Sequence, residues 1–103
     1  MENNKFELGI TVATRGVNAV MEKNQKFADF VFKSLMRHGK GDWGDMCLED
    51  RLMNDEAVRT GESRIFFAYN IPKEVGTDFE NDKIWIITEW DRSATTVLFP
   101  CEY

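Results

Sequence analysis

Only two cysteines, two prolines and a single histidine occur among the 103 residues of this chain, and none of them stands in a recognised pattern. Cys47 and Cys101 belong to no CxxC or Cys/His spacing, which excludes a zinc framework and leaves two free, reduced thiols as the expectation. Gly39-Lys40-Gly41 is too short for a phosphate loop, and there is neither a GxSxG elbow nor a Cys/His/Asn arrangement, so no cofactor is expected. His38 with Asp42, Asp45 or Cys47 forms no ligand pattern, and no metal is expected either. The chain also lacks a long apolar run and a basic start followed by an apolar stretch. Membrane insertion and export are therefore not expected, and a cytoplasmic protein is. Positive charge is scarce: 18 acidic against 13 basic residues give a formal net charge of −5. Direct nucleic-acid binding becomes the less favoured class, since cationic contacts to phosphates supply its affinity.

What the chain has is apolar and aromatic content. Hydrophobic residues make up 43%, with eight Phe, three Trp and two Tyr, enough for one domain over residues 1–103 with its own core. Phe6, Leu8, Ile10 and Val12 alternate with other residues, the period of a strand with one buried face. Val17, Val20 and Met21 recur at helical spacing. Phe27, Phe30, Val31 and Leu35 then predict an amphipathic helix from Lys26 to His38, with Gly39 ending it in the left-handed region. A further helix is predicted from Cys47 to Arg59, with Asp45 as N-cap, Leu48, Leu52, Met53, Ala57 and Val58 facing inward, and Gly61 beyond its end. Period-2 spacing returns at Ile65, Phe67, Tyr69 and Ile71. A polar loop from Lys73 to Asp82 follows, then strands over Lys83–Trp90 and Thr95–Phe99. The order β-α-α-β-β-β predicts an α+β fold with helices packed on one face of a mainly antiparallel sheet.

Three places carry candidate chemistry. In Arg37-His38-Gly39-Lys40-Gly41-Asp42-Trp43-Gly44, an imidazole suited to proton transfer near neutral pH lies close to Asp42 and Asp45. The same residues also suit, and more simply, a helix C-terminus whose loop is anchored in the core by Trp43. At the last hairpin, Glu89, Asp91, Arg92, Ser93, Thr95 and Thr96 offer an acid, a cation and hydroxyls for a phosphate or a scissile bond, or plain turn chemistry. Asp42, Asp45, Glu49, Asp50, Asp55 and Glu56 form an acidic segment, which is either a solvated helix face or a surface that meets a basic partner. Lys26, Lys33, Arg37 and Lys40 form a weaker basic stripe.

The segment from His38 to Gly44, Gly61 to Tyr69, and above all Lys83-Ile84-Trp85-Ile86-Ile87-Thr88-Glu89-Trp90-Asp91-Arg92-Ser93-Ala94-Thr95-Thr96-Val97-Leu98-Phe99-Pro100 resemble the small uncharacterised "plasmid-related" proteins of bacterial plasmids and integrative conjugative elements. Thr11 to Val17 is similar as well. Family members generally lack the stretch between Pro72 and Asp82. The resemblance implies a mobile-element setting, in which accessory factors, toxins and inhibitors of host defence nucleases occur.

Together these features favour a non-catalytic binding protein, an accessory or anti-defence factor of nuclease-inhibiting, anti-CRISPR or anti-restriction type acting by protein-protein contact. Its expected binding residues are Asp42, Trp43, Asp45, Glu49, Asp50, Asp55, Asp91, Arg92 and Ser93. The alternative is a small hydrolase or ribonuclease using His38, Asp42 and Arg92, an analogy at the level of fold only. A homodimer through exposed Trp and Phe is a third reading.

Overall fold

The computed structural model describes residues 4–44, 46–75 and 82–103, so Asp45 and most of the loop between Pro72 and Asp82 lie outside the described residues. Strand β1 (Ile10–Ala13) leads into helices α1 (Arg15–Lys23), α2 (Gln25–Gly39) and α3 (Leu48–Thr60). Strands β2 (Ile65–Asn70), β3 (Lys83–Thr88) and β4 (Ala94–Leu98) follow, with short 3-10 turns at Lys73–Val75 and Pro100–Glu102. The fold is α+β, as the periodicities predict. Its sheet has the order β1-β4-β3-β2, antiparallel except for the parallel β1–β4 pair. That pair is parallel because the chain crosses over through the helices before it returns as the last strand.

Strand parity decides what the helices cover. Ile65, Phe67 and Tyr69 of β2, Ile84 and Ile86 of β3 and Val97 of β4 are fully buried and cluster with Val17, Phe27 and Val31 of α1 and α2. Each large apolar side chain in that layer contributes about 1.5–3 kcal/mol. Asn24 separates α1 from α2 and caps α2, its side chain accepting from the Phe27 N–H at 3.1 Å. Glu102 reaches back to the start of α1, accepting from Thr14 Oγ1 at 2.6 Å and from the Gly16 N–H at 3.0 Å.

Three local expectations change. Gly9, at φ 67°, breaks the alternation that begins at Phe6, and a side chain there would run into the Ser93 backbone. The first strand therefore covers only Ile10–Ala13, and no residue of it is buried. Helix α2 runs through Gly39 and is capped by Lys40; the left-handed residue is Gly41. In α3 the N-cap is Cys47, without a side-chain cap bond, and Leu48, Leu52 and Met53 face outward, leaving Asn54 and Ala57 as its buried residues. Gly61, at φ 70°, ends α3 as expected.

Candidate functional site

From Arg37 to Gly44 the chain leaving α2 is held by several hydrogen bonds. Arg37 grips Asp42 through two hydrogen bonds, Nε to Oδ2 at 2.7 Å and a second guanidinium nitrogen to Oδ1 at 3.0 Å. This contact holds the Asp42 carboxyl below its ordinary pKa. The Gly44 N–H donates to Asp42 Oδ1 at 3.2 Å, and the Tyr69 hydroxyl to the Asp42 carbonyl at 2.6 Å. Gly44, at φ 63°, lies so close to Tyr69 and the Ala68 carbonyl that a Cβ would overlap both. It forms a bridge to Ala68 on the outer side of β2. Trp43 turns inward, its ring centroid 4.0 Å from that of Phe67, and its indole N–H donates to Asp55 Oδ1 at 2.5 Å. Asp42, Trp43 and Asp55 thus tie α2, the loop and α3 into one unit.

His38 has no exposure at all. Its ring packs against Phe67 at 4.0 Å between centroids and against Phe6 at 5.2 Å. Its Nε2 is 2.7 Å from Thr88 Oγ1, which is 2.7 Å from Thr95 Oγ1, which donates to the Leu8 carbonyl at 2.7 Å. Counting protons fixes every donor. Thr95 gives its single proton to Leu8, so Thr88 must donate to Thr95; Thr88 then accepts, and His38 carries its proton on Nε2. Among the described residues Nδ1 has no hydrogen-bond partner, and its lone pair lies among apolar rings. Burial pulls the imidazole from 6.5 to about 3, so the ring is neutral across the physiological range. A side chain so placed links α2 to β3 and β4 and presents no face to a substrate.

Arg92 sits at the β3–β4 turn with φ 60°, a strained conformation for a residue with a Cβ, costing about 1 kcal/mol. Its guanidinium recovers that cost by donating to four carbonyls: Ser63 at 2.8 Å, Trp90 at 3.0 Å, Ala57 at 3.0 Å and Glu89 at 3.2 Å. Partial burial lowers its pKa. Asp91 accepts from the Ser93 N–H at 3.1 Å, an ordinary Asx turn. The hydrogen bond from the Ser93 side chain, then that of its backbone, holds the Asp91 carboxyl low.

His38 and Arg92 meet at one residue that the sequence marked only as part of the first strand, Phe6: the Arg92 cation lies 5.8 Å from the centre of the same ring. What they share is a packed ring and not an open cleft, while Asp42 is engaged with Arg37. Thr88 and Asn54 were also missed, and Thr95, read as a hairpin hydroxyl, is buried instead; strand parity places Thr88 with Ile84 and Ile86, and Thr95 with Val97, on the core face. Asp45 lies outside the described residues. Glu49, Asp50, Asp55 and Glu56 are all exposed on α3.

Among these acids stand exposed apolar side chains, Leu48 at 61%, Leu52 at 56% and Met53 at 69%. Met53 also borders a groove of about 370 Å³, lined by Met46, Asp50, Asn54, Arg64 and Phe66 among others. Among the described residues, no group of three or more His, Cys, Asp or Glu side chains is placed to hold a metal ion. No described helix is long and apolar enough to cross a membrane. Comparison of the chain with protein-family models, curated proteins and solved structures finds no match.

Proposed function

We propose that this is a non-catalytic binding protein that docks on a basic, partly apolar protein surface through α3. The observation that carries this reading is the outward face of α3, where Leu48, Leu52 and Met53 stand exposed among Glu49, Asp50 and Glu56. Exposed apolar side chains interspersed with acids can bury area against a partner while the acids speed encounter with a cationic one. Asp42, Trp43 and Asp55 hold α3 in place and act by positioning; Asp91, Arg92 and Ser93 build the turn that meets its C-terminal end. The mobile-element setting implied by the "plasmid-related" resemblance suits a small acidic factor of accessory or anti-defence type. The ribonuclease or hydrolase alternative draws less support, because the His38 ring is enclosed and the Arg92 donors are taken by carbonyls.

The test is affinity capture from a bacterial host, with the partner identified by mass spectrometry and then purified for direct titration. Glu49→Lys with Met53→Glu should weaken that binding by tenfold or more, on the order of a single interface hot spot, with the melting temperature unchanged. Equal binding by the double variant would remove α3 from the interface. Cleavage of RNA or DNA by the native chain, abolished in His38→Gln, would establish the enzymatic alternative instead.

A further inference from the structure

From two unpartnered polar atoms on the buried face of α2 we infer a binding site for one enclosed water molecule, held between Ser34 Oγ and His38 Nδ1. Ser34 is 1% exposed and His38 not at all, and among the described residues neither atom has a hydrogen-bond partner. Polar atoms buried in this way are destabilising, because they have lost solvent without gaining a bond. A buried serine commonly turns its hydroxyl back onto a carbonyl of its own helix, and Ser34 does not. The two residues stand four positions apart on one helix, so they are neighbours on the same face.

Helix geometry selects the occupant. Side chains lean towards the N-terminus of a helix, which carries the His38 ring over the preceding turn, where Ser34 sits. Nε2 reaches Thr88 on the sheet. Nδ1 is bonded to the ring carbon that joins Cβ and therefore stays nearer α2. Cβ atoms at this spacing are about 5–6 Å apart. A direct bond would need Oγ and Nδ1 within about 3 Å, whereas one oxygen between them closes the gap with two hydrogen bonds. The rings of Phe6 and Phe67 wall the imidazole, and an apolar enclosure of this kind suits a neutral molecule and not an ion.

The direction of each bond follows from the tautomer. His38 carries its proton on Nε2, so Nδ1 only accepts. The water donates to Nδ1, and the Ser34 hydroxyl donates to the water. Two polar partners are the fewest that hold a buried water. Ser34 and the water thereby extend the row that runs from His38 through Thr88 and Thr95 to Leu8, with every proton pointing the same way. No residue of α3 takes part, so the site stands whether or not α3 binds a partner.

The test reads a sign. With the water in place, Ser34→Ala removes one of its two holds and should lower the melting temperature by about 5 °C. Were the hydroxyl unbonded, the same change would delete a buried polar group with no partner and raise it. A high-resolution crystal structure of the native chain should show one oxygen within about 2.7–3.2 Å of both atoms. This second measurement holds even if the variant does not fold. A melting temperature that stays level or rises in Ser34→Ala, a native structure with no such oxygen, or one in which Ser34 Oγ bonds directly to Nδ1 would each overturn the proposal.

Discussion

Along β2 the outward amide groups are occupied, whereas along β1 they meet no described residue. The side-chain amide of Asn54 acts as a piece of strand: Nδ2 donates to the Phe66 carbonyl at 2.6 Å and Oδ1 accepts from the Phe66 N–H at 3.2 Å. Gly44 bridges Ala68 on the same side. The difference teaches why α3 looks inverted. A helix that docks through a polar carboxamide and a small Ala57 needs no apolar stripe against the sheet, so its Leu48, Leu52 and Met53 remain available to the solvent side. Closing this edge thereby produced the surface proposed for binding.

The sharpest way to break this comparison is to open the closed edge. Asn54→Leu keeps the volume and strips both partners from Phe66, so it should cost about 3 kcal/mol, two orphaned backbone groups at roughly 1–2 kcal/mol each. Urea unfolding reads this directly, and a loss under about 1 kcal/mol would mean that Asn54 is no edge cover.

A second effect comes from the strut that supports the open edge, the chain from His38 to the Leu8 carbonyl just ahead of β1. The folded imidazole titrates at about 3 and the unfolded one near 6.5, so between these values the unfolded chain binds the extra proton. Stability should therefore be at its plateau above pH 6.5 and fall as the solution is acidified towards 3, at up to about 1.4 kcal/mol per pH unit. Asp42 and Asp91, held below their ordinary range, add to the same trend at the acid end. In His38→Gln the slope between pH 4 and 6 should flatten; an unchanged slope would assign it to the carboxylates.

Smaller still is Thr95→Val, which removes the hydroxyl joining Thr88 to Leu8 and should cost about 1–2 kcal/mol. Amide exchange should quicken at Ile10 and Val12 while β2 keeps its protection. Uniform quickening would show that the strut serves the whole sheet and not the β1 side of it.

Much of the fold was legible because its periods are clean. Phe27, Phe30, Val31 and Leu35 announce α2, and Ile65, Phe67 and Tyr69 announce β2, since burial on one face leaves a repeat in the chain. The errors fall where a polar or a missing side chain does the work. Apolar residues at helical spacing in α3 suggest an inward face, but Asn54 carries the docking, and nothing local distinguishes it from a solvated asparagine. Gly9 ends the first strand with a φ of 67°, and the Ser93 backbone, far along the chain, lies where a side chain there would sit. Trp43 as a core anchor was readable; its hydrogen bond to Asp55 was not, for an acid in an acidic run gives no sign of its partner. The linkage of His38 to Thr88 spans 50 positions, beyond any local pattern.

The row of hydroxyls leading from that imidazole has a direction. Every proton points the same way, from Nε2 through Thr88 and Thr95 to Leu8, and no member can turn unless its neighbours turn with it. A ring flip or a tautomer change at His38 is therefore a collective event that waits for α2 to lift from the sheet. The Nε2 proton is consequently a clock: the time it needs to exchange with deuterium measures how often the seam between helix and sheet comes apart.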